Sequence, residues 1–191
     1  MVDEIQEATR RLNRLVGNLL DLTRLESGHV KPNLDWCDAE DLIHGTLKEI
    51  EKDLAGRKVT PEIAKSIPLV RLDFVLMQQV LTNLLLNAVV HTPPETSVQV
   101  HARAQDGMLT ISVLDDGPGL PRQALPFIFD KFYRAPSARP GGTGLGLAIV
   151  KGLVEAQRGH VEAANRPEGG AVFRIRLPTL KSPPVPDEAI A

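Results

Sequence analysis

The sequence is poor in the residues that build disulfide-linked, membrane-spanning or strongly charged proteins. Its 191 residues include one cysteine, Cys37, and one tryptophan, and the formal net charge is only −2. A single cysteine excludes an internal disulfide framework and is typical of a reducing compartment, and the balanced charge argues against nucleic acid as a direct partner. No apolar run approaches the roughly 18–20 residues that span a bilayer, and the first residues lack the apolar core of a signal peptide. We therefore expect a soluble, cytoplasmic chain.

Apolar residues recur at alternating steps of three and four near the amino terminus. They lie at Ile5, Ala8, Leu12, Leu15, Leu19 and Leu22. This heptad spacing predicts a long helix that ends near Gly28 and packs into a bundle with another helix or chain; packing on the following domain is the alternative. We expect this helix in 1–28, a folded domain in 29–180 and a disordered, proline-rich tail in 181–191.

Capping and turn residues divide the middle of the chain into elements. Asp38 predicts the start of a helix that runs to about Ala55, and Asp73 the start of a second over "FVLMQQVLTNLLLNAVVH". Asp106 and Gly107 predict a hairpin turn. Other strand candidates are "PNLDW", "KVTPEI", "LVRLD", "HVEAAN" and "AVFRIRL". This order predicts an α+β fold, a two-layer α/β sandwich with helices on one face of a mixed, mostly antiparallel sheet.

Three polar side chains follow one edge of the helix that Asp73 begins. Asn83, Asn87 and His91 recur at i, i+4 and i+8, beside an apolar stripe. The two amide oxygens could hold a hard cation such as Mg²⁺, which keeps several waters and takes few protein oxygens. Backbone groups could equally satisfy both amides, so this helix alone leaves the two interpretations open.

The stretch "DDGPGL" places a carboxylate at the end of a strand that we expect to be buried. Asp115 accepts hydrogen bonds only, so its burial requires a donor. Gly117 and Gly119 leave room for a flat ligand beside the backbone, and an exocyclic amine such as that of adenine is a suitable donor. A tight turn after a strand is the alternative.

The stretch "GGTGLGLAIV" places Gly142, Gly144 and Gly146 before an apolar helix that we expect to end near Gln157. Backbone N–H groups at such a helix start attract anions. The spacing fits neither a Walker A loop nor the GxGxxG dinucleotide motif, so alone it does not identify the anion.

Taken together, these motifs resemble a known family. "NLLLNAVVHT", "DDGPGL", "FIFDKFYR" and "GGTGLGLAIV" resemble, in this order, the N, G1, F and G2 boxes of the histidine-kinase catalytic domain. That domain has the Bergerat fold of the ATPase superfamily that includes type II topoisomerases and MutL proteins. The resemblance covers residues 33–178, and residues 1–28 look like the second helix of the kinase dimerisation hairpin. The closing "NRPEGGAVFRIRLP" is most similar to potassium-responsive, Kdp-type sensor kinases.

The resemblance implies a role for each site residue in binding ATP. Asp115 would bind the adenine amino group, with Gly117 and Gly119 shaping the base pocket. Asn87 would hold Mg²⁺, and Asn83 would assist through the water shell of the metal. The residues implied to present hydroxyl or backbone donors to the phosphates are Thr143, Gly144, Leu145 and Gly146.

A mobile lid is implied between about residues 127 and 142, with Phe129 and Phe132 anchoring its start. Lys131 and Arg134 are then candidates for phosphate contact, although solvated lid charges are an equal alternative. His91 would lie against the nucleotide, or bond to the backbone at the helix end.

Two departures from the family pattern bear on activity and partners. The five histidines, His29, His44, His91, His101 and His160, lack the sequence context of a phosphoacceptor. The resemblance therefore implies transfer to a histidine on a helix of the same or a partner kinase chain, and relay to a response-regulator aspartate. It also implies a homodimeric full-length protein anchored in the inner membrane. Val90 stands where the family commonly has Lys or Arg, which removes a cation near the phosphates.

The family of ATPases also indicates what Asn83 cannot do. ATP-hydrolysing members carry a Glu there as general base, and an amide cannot take a proton at neutral pH. The site is thus expected to hold ATP for phosphoryl transfer. The alternatives are a non-catalytic nucleotide-binding module and, less favoured, an ATPase.

Overall fold

The structure, a computed structural model, describes residues 2–54, 56–135 and 143–179. Four helices lie in these ranges: α1 (Val2–Glu26), α2 (Ala39–Glu49), α3 (Phe74–His91) and α4 (Gly146–Ala156). The strands there are β1 (Asp35–Cys37), β2 (Val59–Ile63), β3 (Val70–Leu72), β4 (Val98–Gln105), β5 (Met108–Asp115), β6 (His160–Asn165) and β7 (Ala171–Pro178). The predicted tail 181–191 and lid residues 136–142 lie outside the described residues.

Five strands form the main sheet in the order β2-β4-β5-β7-β6. β2 is parallel to β4, whereas the other neighbours are antiparallel. α3 and α4 contact each other and cover one face of this sheet. The predicted two-layer sandwich with a mixed, mostly antiparallel sheet is confirmed, as is the hairpin turn at Asp106 and Gly107 between β4 and β5.

α3 is the central helix of the core, and its ends agree with the sequence. The Asp73 side chain caps its start by accepting a hydrogen bond from Leu76 N, and the helix ends before Pro93. Its fully buried face consists of Met77, Val80, Leu81, Leu84, Leu85 and Ala88. By length and composition α3 is apolar enough to cross a membrane, contrary to our expectation that no segment is. Its apolar face instead packs in the interior of the domain.

α1 contacts the domain through its last two turns. Leu22 is buried, Leu25 packs on Gly152 of α4, and Asp21 accepts a hydrogen bond from Gln79 of α3. The earlier part of the heptad seam is exposed at Leu12, Leu15, Val16, Leu19 and Leu20. The alternative of packing on the domain thus holds for the end of the helix, and packing of the exposed seam into a bundle stays a prediction.

Two local features differ from the sequence expectation. α2 ends at Glu49 and not near Ala55, because Ile50 leaves the helical conformation and the chain continues in turns up to Leu54. β1 and β3 also pair with each other, antiparallel, in a separate two-stranded sheet. This pairing was not expected because its partners are about 35 residues apart and carry no turn signal between them.

The other face of the main sheet carries polar and charged side chains. One cross-strand row on this face reads Glu62, His101, Ser112, Arg174 and Glu162. Glu162 also lies 2.9 Å from Arg176, in an ion pair whose partners are partly exposed. The sandwich therefore has one buried and one hydrated sheet face.

The Asp73 cap predicts a measurable stability contribution. Its Oδ1 accepts from Leu76 N at 3.1 Å and its Oδ2 from Asn33 N at 2.8 Å, so Asp73→Ala leaves two backbone donors unpaired. We expect a loss of about 1–2 kcal/mol in the free energy of unfolding, measured with urea. Asp53→Ala, at an exposed turn, is the control and should cost less than about 0.5 kcal/mol; equal losses would contradict the assignment.

Candidate nucleotide site

The amides of α3 lie beside the start of α4. Asn83 and Asn87 are both half-buried, one turn apart. A Cβ atom built on Gly146 would lie 3.6 Å from Asn83 Oδ1, which places the glycine-rich motif directly beside this amide. No hydrogen bond joins either side chain to another residue of the described ranges. The structure therefore brings two motifs together that are about sixty residues apart in the sequence.

The amide oxygens of Asn83 and Asn87 are suitable ligands for a hard cation that has other ligands as well. Within residues 2–54, 56–135 and 143–179, no group of three His, Cys, Asp or Glu side chains could hold a metal ion. Mg²⁺ needs few protein oxygens when phosphate and water supply the others. The donor set of Asn83 and Asn87 thus suits a Mg²⁺ ion that is shared with a polyphosphate, and does not suit a metal bound by protein alone.

Asp115 is a buried carboxylate at the end of β5, with 6% of its surface exposed. Its Oδ1 accepts hydrogen bonds from Gly117 N at 3.0 Å and from Ala171 N at 3.3 Å. Burial raises the pKa of this carboxyl, while the two backbone donors and the charge of Arg166 oppose the rise. Among the described residues no donor contacts Oδ2, so one oxygen is fixed by the protein and the other can accept from a ligand.

Close packing inside the protein accounts for the glycines after Asp115. A Cβ atom on Gly117 would lie 2.8 Å from Thr92 Cγ2, and one on Gly119 would lie 2.8 Å from Asn165 Oδ1. Gly119 also has a φ of +77°, which side chains rarely adopt. These glycines shape the loop by letting Thr92 and Asn165 approach it.

The glycine-rich stretch forms a turn that leads into α4. Thr143 Oγ1 accepts a hydrogen bond from Leu145 N at 3.2 Å, and the Leu145 side chain is buried in the core. Leu145 N–H is therefore engaged within the turn in this conformation. α4 begins at Gly146 with no side-chain cap, so its first N–H groups lack the usual partner.

Only one of the two expected phenylalanines anchors the start of the predicted lid. Phe129 packs against the core, whereas the Phe132 side chain is 64% exposed and its backbone φ is +62°. The expected anchoring by the Phe132 side chain is therefore wrong. Its backbone N–H instead donates to Gly144 O at 3.0 Å, and the Tyr133 ring contacts that of Phe127 at a tilt of 38°, with ring centroids 5.8 Å apart.

The charged candidates near the lid are exposed. Lys131 Nζ lies 2.5 Å from Glu26 Oε1 of α1, with both side chains about half exposed. Arg134 and His91 are also exposed and each has an interaction within the protein. The phosphate or nucleotide contacts suggested for these three residues stay predictions.

Three further side chains form hydrogen bonds to the segments that make up this site. The sequence analysis assigned them no role. Arg57 donates to the carbonyl oxygens of Val89, Thr92 and Pro93 and to the Thr92 hydroxyl, all at 2.6–2.9 Å, and so fixes the end of α3. Asn165 and Arg166 bond to the loop that follows Asp115. No local pattern identifies any of them, because their partners lie more than thirty residues away in the sequence.

Comparison with known proteins decides the family. The model of the family described as "Histidine kinase-, DNA gyrase B-, and HSP90-like ATPase" matches residues 72–181, more than half of the chain. The chain belongs to this family. The match contains all four motifs.

Individual relatives of this ATPase domain are sensor kinases. The sensor protein KdpD of Escherichia coli is 37% identical over 94% of this chain and 20% of its own length. The signal transduction histidine-protein kinase AfsQ2 of Streptomyces coelicolor is 40% identical over 94% of the chain and 33% of its own length. The crystal structure of full-length ShkA in complex with AMPPNP has a TM-score of 0.81 and 29% identity, over 96% of this chain and 39% of that one.

These matches confirm the predicted likeness to Kdp-type sensor kinases and the histidine-kinase fold. The likeness is not confined to the Kdp type, because AfsQ2 is similar to the same extent. The chain spans between a fifth and a third of the length of these two curated relatives.

The raised pKa of Asp115 predicts how stability depends on pH. Folding favours the protonated carboxyl, so the contribution of this group to stability is full below its ordinary pKa of about 3.9 and is lost as pH rises through the raised value. We therefore expect the unfolding free energy of the wild type, relative to Asp115→Asn, to fall as the pH rises above about 4. Urea unfolding at each pH measures it; exposed Asp130→Asn is the control. A difference that stays constant with pH would contradict the prediction.

Proposed function

We propose that this chain binds Mg–ATP and is the module that phosphorylates a histidine in a two-component sensor kinase. The observation that carries the proposal is that the α3 amides lie beside the start of α4. The Asp115 carboxylate, at the end of β5, has one oxygen bonded by backbone N–H groups and the other available to a ligand. Membership of the ATPase family and the kinase relatives support it.

We assign base recognition to Oδ2 of Asp115. Oδ1 is already bonded to two backbone N–H groups, so the carboxylate cannot rotate freely, and Oδ2 can accept from the adenine amino group. A charge-assisted hydrogen bond of this kind contributes about 1.5–3 kcal/mol in a buried site. The site should therefore bind bases that lack this amino group less tightly, because Oδ2 of the buried carboxylate would then have no hydrogen-bond donor.

Phosphate positioning is proposed for the first N–H groups of α4 and the Thr143 hydroxyl, which can still donate while it accepts from Leu145 N. Asn87, with Asn83 through water, would hold Mg²⁺, which supplies charge neutralisation at the phosphates. An acceptor imidazole nitrogen then forms a bond to the γ-phosphorus as the bond to the β-phosphate oxygen breaks, and ADP leaves. The Asn83 amide cannot deprotonate water, so hydrolysis lacks a general base.

The partners follow from this transfer. The phosphoryl acceptor is a histidine on a hairpin helix of the same or a partner chain, and a response-regulator aspartate receives the group next. We propose that the longer protein is a dimer anchored in the inner membrane, with this module in the cytoplasm.

Nucleotide binding tests the site directly. Titration with a fluorescent ATP analogue should show Mg²⁺-dependent binding, weakened about tenfold or more in Asp115→Asn and Asn87→Ala through loss of a base or metal contact. Gln78→Ala is the matched control, since Gln78 lies ~180° around α3 from Asn87. Equal binding by the wild type and both site variants would overturn the proposal.

Phosphoryl transfer needs an acceptor supplied separately. Incubation with ATP labelled at the γ-phosphate and a hairpin fragment that bears a kinase acceptor histidine should label the fragment with an acid-labile, alkali-stable group. Steady release of phosphate without that fragment should stay at background, because Asn83 cannot act as a base. Rapid turnover of ATP in the absence of the fragment would show an ATPase and contradict transfer.

A further inference from the structure

The turn between β6 and β7, taken with its two flanking strand residues as residues 165–171, lies against the loop that bears the proposed base-recognition carboxylate, residues 115–120. The two segments are about fifty residues apart in the sequence, yet three separate contacts join them. The contacts involve the carbonyl oxygen of Asp115, its carboxylate, and the backbone N–H and C=O groups of Leu120. The loop is therefore restrained at both of its ends from one side.

Asn165 restrains the far end of this loop. Its Oδ1 accepts from Leu120 N and its Nδ2 donates to Leu120 O, both at 2.7 Å, so the amide pairs with the residue as a neighbouring strand would. The approach is close enough that a Cβ atom on Gly119 would lie 2.8 Å from Oδ1. A side chain with one polar atom cannot make both bonds.

Arg166 restrains the near end. Its Nη1 donates to the Asp115 carbonyl oxygen at 2.9 Å, and its guanidinium is held in place by Glu168 Oε1 at 3.0 and 3.3 Å. Only 17% of the Arg166 side chain is exposed. Just after the turn, Ala171 N donates to Asp115 Oδ1, so the carbonyl and the carboxylate of one residue are both bound from this side.

Close backbone contact makes the arrangement rigid. A Cβ atom on Gly170 would lie 1.9 Å from Asp115 O, so only glycine permits the turn to pass there. On its other side the loop is bound by Ser97, which exchanges hydrogen bonds with Asp116. A loop held from two sides keeps one geometry, and a carboxylate with one geometry can select a ligand donor.

We propose that Asn165 and Arg166 are positioning residues that fix the Asp115 carboxylate and thereby set the preference of the site for adenine over other purine bases. This inference rests on the proposed function and extends it to base selectivity. The two side chains act through the residues that they bond, Leu120 and Asp115. Loss of either one lets the loop adopt further conformations, in which the distance from Oδ2 to the base amino group varies.

The test compares ATP with ITP, whose base carries an oxygen in place of the amino group. Both displace a fluorescent ATP analogue in the presence of Mg²⁺, and the ratio of their dissociation constants reports base selectivity. The wild type should favour ATP by at least about tenfold. Asn165→Ala and Arg166→Met should each lower the ratio by about fivefold or more, with the affinity for ITP changed less than about twofold, because the phosphate and metal contacts stay.

Arg176→Met is the matched control, since Arg176 lies on β7 and pairs with Glu162 on the hydrated sheet face. It should leave the ratio unchanged. If Arg166→Met does not fold, Arg166→Lys replaces it, because it keeps the charge and one donor but not the planar fork, and it must also lower the ratio.

The outcomes distinguish a failure of the proposed function from a failure of the positioning role. A wild type that binds neither nucleotide overturns the proposed function. A wild type that prefers ATP, with variants that keep its ratio or weaken ATP and ITP equally, leaves that function standing and overturns the positioning role.

Discussion

The carboxyl group of Asp115, buried at the end of a central strand, is the constraint on which the proposed nucleotide site depends. An unpaired charge in such a place costs several kcal/mol, so the chain must supply donors. Gly117 and Ala171 supply them from backbone N–H groups, which carry no side-chain entropy and cannot move away. The loop after β5 and the start of β7 must therefore keep their positions for the buried carboxyl oxygen to keep its donors, and the shape of the proposed base pocket depends on these contacts.

Much of the architecture can be predicted from the sequence because its signals are local. The Asp73 cap, the Asp106–Gly107 turn and the apolar periodicity of α3 each depend on residues within one or two turns of chain. The pairing of β1 with β3 and the early end of α2 depend on tertiary packing, so no local signal announces them.

The residues of the site also fall into those that local signals predict and those that depend on distant contacts. The motif residues of α3, β5 and the start of α4 were predicted, because each motif combines residue types with a recognisable spacing. Arg57, Asn165 and Arg166 were missed because each is an ordinary polar residue whose role comes from a distant backbone partner. The exposed Phe132 shows the opposite error: an aromatic residue in a motif was expected to be an anchor, and its backbone carries the contact.

The hydrated face of the main sheet has a consequence for how such a domain can change over time. The row from Glu62 to Glu162 is separated from Asp115 and the α3 amides by the full thickness of the sheet. Substitutions in that row alter surface charge, and with it colloidal behaviour and self-association, without contacting the proposed site residues. The charge of one sheet face can therefore be changed independently of the proposed site residues on the other side of the same layer of strands.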